Sequence, residues 1–272
     1  MLSNSRGGRK LCLVPAHQVE IDNTACPSPP DAPYRPKHGH FTLIPPSNNV
    51  WPRLVIVEGI MGSGKSTVTV NIARRLEASG IPATGITEGV DPHPIRFDWD
   101  QPWSAMPPAE LAKSCIAKWR AFVDSSLASD RIQIVDGQLF HGNLTSLLLL
   151  EADIELIGAY CREIVATIKP LRPLLIYFHQ DDVDSAIRAV SAQRGDKWVS
   201  YQINWKLESP YAKRRGLVGL DGLIALYRQY RSLTDKLFAD LDIPKTSIEN
   251  SRQQWAIYDD IIDRALTNPN TT

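Results

Sequence analysis

From Arg53 onward, short apolar runs alternate with longer stretches in which apolar residues recur every three or four positions. The run "RLVIVE" leads into "KSTVTVNIARRLEASG", where Val68, Ile72 and Leu76 share one helical face and Gly80 supplies a stop. "IPATGITE" reads as a second strand, "PPAELAKSCIAKWRAFVDSSLAS" as a helix opened by proline, and "RIQIVDG" as a short buried strand. The alternation continues with a helix at "EADIELIGAYCREIVATIK", a strand at "LLIYFHQ" and a helix at "DDVDSAIRAVSAQRG", whose early acidic residues suit its N-terminal dipole. Beyond a segment of ambiguous pattern come a helix near "DGLIALYRQYRSLTDKLFADL", a strand at "KTSIEN" and a last helix at "QQWAIYDDIIDRAL". Such alternation predicts an α/β fold in three layers, with a central, mostly parallel sheet of about five strands flanked by helices.

The first 50 residues break this pattern. Nine of the twenty prolines lie in the first 52 positions, and "PSPPDAPYRPKHGH" offers little periodic apolar surface to bury. Residues 1–50 are therefore expected to be a disordered proline-rich extension, with a proline-rich ligand for a partner domain as the alternative. Residues 51–268 form the expected folded domain, and 269–272 a tail.

Composition narrows the partners. Lysine plus arginine equal aspartate plus glutamate at 30 each, so no bulk field draws the chain to a nucleic acid polymer or an anionic membrane. The four cysteines, Cys12, Cys26, Cys115 and Cys161, show neither zinc-site spacing nor disulfide density, which points to a reducing, cytoplasmic setting. The apolar run "LCLVP" is too short for a signal segment, and no window approaches the ~18 apolar residues of a membrane helix. The expected partner is a small molecule, and a homodimer is compatible with the sequence.

The stretch "GIMGSGKS" satisfies P-loop spacing and lies between a buried strand and an amphipathic helix, the context such a loop requires. Gly59, Met61, Gly62, Ser63, Gly64, Lys65, Ser66 and Thr67 are expected to hold the phosphates of ATP: glycines let the amides converge on an anion, and the helix start adds its positive dipole end. Lys65 should reach the β- and γ-phosphates and the Ser66 hydroxyl should ligate Mg2+. Asp136, at the end of "RIQIVD", is the natural Walker-B aspartate, because a buried strand delivers its carboxylate to the same sheet edge; it is expected to hold Mg2+, directly or through water, or to orient the attacking hydroxyl as a catalytic group. The sequence has no "NKxD", no "LSGGQ", and glycine rather than glutamate after Asp136, which disfavours switch GTPases and work-cycle ATPases.

With its P-loop and Asp136 strand, "LLIYFHQDDVDSAIRAVSAQRG" resembles the strand, helix and lid region of the thymidylate kinase and deoxynucleoside kinase group of P-loop kinases. The resemblance spans Arg53 to about Leu266, and its P-loop is the specific part. It implies a P-loop NTPase fold and phosphoryl transfer from ATP, with Arg188 and Arg194 matching the arginines that approach the migrating phosphate. Guanidinium groups suit that task, since their planar fork spans two oxygens. Glu88, in "TEGVDPHP", matches the glutamate that helps deprotonate the acceptor hydroxyl. The chain departs from the group where Gly137 and Gln138 replace an arginine after the acidic residue, and where Glu88 lacks a preceding arginine and a following proline. A nucleoside, a nucleotide or a related metabolite thus all remain open as acceptor.

His93, Arg96, Phe97, Trp99 and Trp103 in "HPIRFDWDQPW" are candidates for a flat acceptor, or for packing the loop down. Lys206, Lys213, Arg214 and Arg215 form either a basic flap or a solvated loop. His141 either lines the pocket or is structural, and Asn250 and Ser251 fall where an adenine-side loop is expected. The resulting expectation is an ATP- and magnesium-dependent small-molecule kinase. An ATP-dependent ligase or synthetase, and a regulatory nucleotide-binding module, are the alternatives.

Overall fold

The computed structural model describes residues 51–97 and 105–268. The expectations for residues 1–50, for the 269–272 tail and for Trp99 and Trp103 lie outside these. Five strands form one sheet: β1 (Leu54–Gly59), β2 (Ala83–Ile86), β3 (Ile132–Asp136), β4 (Pro173–His179) and β5 (Lys245–Glu249). All pairings are parallel, in the order β2-β3-β1-β4-β5. Every residue of β1 and β3 is buried, as expected for strands covered on both faces.

Side-chain alternation sorts these strands into two cores. Val55, Val57, Ile132, Ile134, Leu174, Ile176 and Phe178 point to one face and meet two helices, α1 (Lys65–Ala78) and, from the far end of the chain, Trp255–Thr267. Leu54, Ile56, Val135, Leu175 and Tyr177 point to the other. There they meet α2 (Pro108–Leu127), α3 (Asn143–Leu149), α4 (Ile154–Ile168), α5 (Val183–Arg194), α6 (Asp196–Leu207), α7 (Pro210–Arg214) and α8 (Gly219–Asp240). The helix Trp255–Thr267 is α9. Three layers result, as the alternation predicts.

The connections decide where a site can form. The chain leaves β1 toward β2 and leaves β4 toward β5, on opposite sides, so the loop after β1 sits at the point where the winding reverses. Sheets of this kind bind their ligands at such a point, outside the carboxyl ends of the strands. Register places Asp136 beside Val57, and the Gly137 amide donates to the Val57 carbonyl at 2.9 Å. The end of β3 is thereby locked next to the loop that β1 feeds.

Two readings change. The ambiguous segment is helical, as α6 and α7. The lid region that the resemblance implies around Arg194 is a tight turn of one residue, Gly195, whose φ of 80° leads α5 directly into α6. Among the described residues, no helix is long and apolar enough to cross a membrane.

Candidate active site

The loop from Gly59 to Ser66 closes over the start of α1. The first bond of helical type runs from the Val68 amide to the Gly64 carbonyl, so the amides from Gly64 to Thr67 precede the intrahelical ladder. No side chain caps them and no acidic residue occupies the first turn, which leaves an electropositive opening suited to an anion. Gly64 has φ 85°, and a Cβ there would fall 2.6 Å from the Trp255 ring, so α9 backs this turn closely. The Lys65 ammonium donates to the Ile60 carbonyl at 3.2 Å and folds back over the loop.

From the other side, Asn250 clamps the loop. Its Nδ2 donates to the Ser63 carbonyl at 2.6 Å, and its Oδ1 accepts from Gln180 Nε2 at 2.6 Å. The ends of β4 and β5 thus fix the loop's shape, whereas the sequence had suggested for Asn250 only an adenine-side position. Ser63 Oγ is buried without a partner inside the loop.

Asp136 shares the face of Ile132 and Ile134, toward α1, so its carboxylate meets the first turn of that helix. Ser66 Oγ donates to Asp136 Oδ2 at 2.5 Å, while Asp136 Oδ1 is buried with no partner. A hydroxyl and a carboxylate together, with one oxygen unsatisfied, suit a magnesium ion that keeps most of its waters and takes its remaining ligands from phosphate. Among the described residues no group of three or more His, Cys, Asp or Glu could hold a metal.

Glu58 was missed from sequence. It shares the α2-side face with Leu54 and Ile56, is fully buried, and accepts from the amides of Leu139 at 2.7 Å, Phe140 at 2.8 Å and His141 at 3.1 Å. It thereby holds the single π-helical turn Gln138–Gly142 that follows Asp136. Burial pushes its carboxyl up to about 7 against the lowering effect of those amides and of Lys65. The signal was a carboxylate at a core parity position of an apolar strand.

Glu88, Lys65, His141 and Gly137 meet at one point. Gly137 has φ 68°, and a Cβ there would lie 2.8 Å from Glu88 Oε1 and 3.0 Å from Lys65 Cε. This glycine is what lets the two charged groups approach. His141 Nε2 lies 3.6 Å from Glu88 Oε1. Burial, and secondarily the charge of Asp136, raises Glu88 to about 7, while Lys65, Lys206 and Arg96 oppose the rise. Its side chain keeps 41% of its surface open to the cleft, so water there moderates the shift. His141 is held well below its ordinary value by burial, then by Lys65 and Lys206, and stays neutral.

Lys206 belongs to this group and not to a basic loop. It is buried, with its ammonium 3.8 Å from the centre of the Trp205 ring and hydrogen-bonded to Gln202 Oε1. Lys213, Arg214 and Arg215, by contrast, are exposed and paired with Glu208 and Glu151. The loop "HPIRF" turns inward for structural reasons: His93 Nδ1 accepts from the amides of Ile95 and Arg96, the Arg96 guanidinium donates to the Glu88 carbonyl, and Phe97 packs on the core.

Arg188 and Arg194 are not brought into the cluster. Arg188 pairs at 2.6 Å with Asp221 on the surface, and Arg194 is exposed at the end of α5. An open cleft of about 630 Å³ at the start of α5 is lined by Asp181, Asp184, Arg228, Arg231 and Asp235, whose charges already pair with one another. It lies apart from the chemistry described above. No protein-family model matches the chain, and no curated protein matches it either.

Proposed function

We propose that the chain is a P-loop kinase that transfers the γ-phosphoryl group of ATP to a small hydroxyl-bearing acceptor. The observation that carries this reading is the convergence, at the carboxyl ends of β1, β2 and β3, of Lys65, the Ser66–Asp136 pair with its unsatisfied oxygen, and the Glu88 carboxylate. A loop built only to bind nucleotide has no use for a second carboxylate, raised toward neutrality, against its lysine. A kinase does: one to neutralise phosphate charge, the other to receive a proton.

In this reading the amides of Gly64 to Thr67 and the Lys65 ammonium hold the triphosphate. Ser66 and Asp136 hold magnesium, which would draw charge from the β- and γ-phosphate oxygens. Glu88 accepts the proton of the acceptor hydroxyl. Arg188 and Arg194 act if α5 closes on the nucleotide, which requires Arg188 to leave Asp221.

The test is to incubate the full chain with ATP, magnesium and a panel of nucleosides, nucleoside monophosphates and a metabolite extract, and to search by mass spectrometry for an added phosphoryl group. Lys65→Ala and Asp136→Asn should abolish the product. Nucleotide consumption that is independent of any small acceptor, or a product made equally by Lys65→Ala, would overturn the reading.

A further inference from the structure

Beyond Glu88 a buried chain of ring contacts runs from His141 into α8 and α6. The His141 ring meets the Tyr230 ring edge-on at 6.2 Å between centres, Tyr230 meets Tyr227 at 5.9 Å, and the Lys206 ammonium stands 6.0 Å from the Tyr227 ring. Three polar atoms along these contacts, the Tyr227 hydroxyl, the Tyr230 hydroxyl and His141 Nδ1, are buried with no hydrogen-bond partner. Buried donors and acceptors left unpaired are costly, so three of them side by side mark a place where a ligand completes the bonding.

Lys206 adds a charge to that place. It is buried, bonds only to a neutral amide oxygen, and makes no ion pair with a carboxylate among the described residues. The opposing charge it feels is that of Glu88. If Glu88 takes the acceptor's proton during transfer, that opposing charge is cancelled at the moment it is needed. Burial pushes the Lys206 ammonium down to about 7, so it then keeps its proton only beside another anion.

We infer that the wall of Lys206, Tyr227, Tyr230 and His141 is the acceptor subsite, and that Lys206 there binds an anionic group, carboxylate or phosphate, of the molecule whose hydroxyl faces Glu88. The inference rests on the kinase reading and names its substrate class. The balanced step is simple: the acceptor O–H gives its proton to Glu88, its oxygen forms a bond to the γ-phosphorus, and the bond from that phosphorus to the β,γ-bridging oxygen breaks to release ADP. Lys206 touches the acceptor throughout, away from the reacting oxygen.

The experiment uses matched probes with the full chain, ATP and magnesium: glycerol, glycerate and glycerol 3-phosphate in one series, thymidine and thymidine monophosphate in another. The charged members are expected to be phosphorylated with kcat/KM about tenfold or more above their neutral counterparts. Lys206→Met should raise KM for a charged acceptor roughly tenfold while leaving KM for ATP within about twofold, and Lys206→Arg should restore part of the loss. Glycerate set against glycerol 3-phosphate decides which anion is held. Equal use of neutral and charged members, or an unchanged acceptor KM in Lys206→Met, overturns this inference alone. Absence of product from these probes and from the metabolite extract overturns it together with the kinase reading. The wild-type comparison needs no variant, and Tyr227→Phe, expected to raise acceptor KM about threefold, tests the same wall should Lys206→Met fail to fold.

Discussion

Gly137 shows how much rests on one missing methyl group. Its φ of 68° is left-handed, and any Cβ would push between Glu88 and Lys65. Gly137→Ala should cost about 1–2 kcal/mol of stability from backbone strain, read by urea denaturation. Activity should fall far more, because the added carbon separates the carboxylate from the lysine. A second residue-scale prediction follows from His93, which burial, then Arg96 and Lys118, hold down at about 4 from an ordinary 6.5. Its Nδ1 accepts two amide bonds, which protonation would abolish. The unfolded chain takes up this proton first, so stability fully present above 6.5 is lost as pH falls toward 4, by on the order of 2 kcal/mol. His93→Asn, whose side-chain oxygen can accept the same bonds, should flatten that part of the stability profile. Glu88 shifts the opposite way. Raised to about 7, it is ready to accept a proton only above that pH, so the rate of transfer should climb through pH 7 and the climb should vanish in Glu88→Gln.

At the scale of elements, the loop after β1 is shaped by the ends of β4 and β5 through Asn250. Asn250→Ala removes the donor to the Ser63 carbonyl and the acceptor for Gln180, leaving two buried groups unpaired. A stability loss of about 2–3 kcal/mol is expected, together with weaker nucleotide binding, measurable by titration with a non-hydrolysable ATP analogue. Unchanged binding in a folded variant would show that the loop keeps its shape without this clamp. The five strands, α1, α2, α4, α5, α8 and α9 were all legible as periodicity, since each has one face in a core. α6 was not, because its apolar residues do not gather on one face and it buries little beyond Lys206 and Leu207. Lys206 looked like part of a charge run for the same reason: only tertiary packing against Trp205 and Tyr227 distinguishes it from Lys213. Lys65, Ser66, Asp136 and Glu88 were readable because each begins a helix, ends a strand or follows one within two residues at the same sheet edge. Glu58 was overlooked beside the more obvious glycines, although its parity placed it in the core.

For the molecule as a whole, the sheet order brings together the groups that matter while leaving them mutually repulsive or unsatisfied without a ligand. Glu88 feels the like charge of Asp136, an Asp136 oxygen has no partner, and Lys206 feels the like charge of Lys65. A folded core that carries such frustration gains more from its ligand than contact area alone implies, because binding pairs groups already desolvated. That gain appears in the Kd itself, and magnesium with a non-hydrolysable ATP analogue at about 100 times that Kd should stabilise the chain by the ~2.7 kcal/mol that mass action gives. For a folded body of this size that corresponds to a rise in Tm of roughly 5–10 °C. The rise should need both components: the analogue without magnesium leaves the Asp136 oxygen unpaired, and magnesium alone lacks the phosphate oxygens that complete its shell. Lys65→Ala should lose the rise through the nucleotide, and Asp136→Asn through the metal, so that Asp136→Asn with magnesium matches the wild type without it. A Tm shift of equal size in the absence of magnesium would remove the ion from the site.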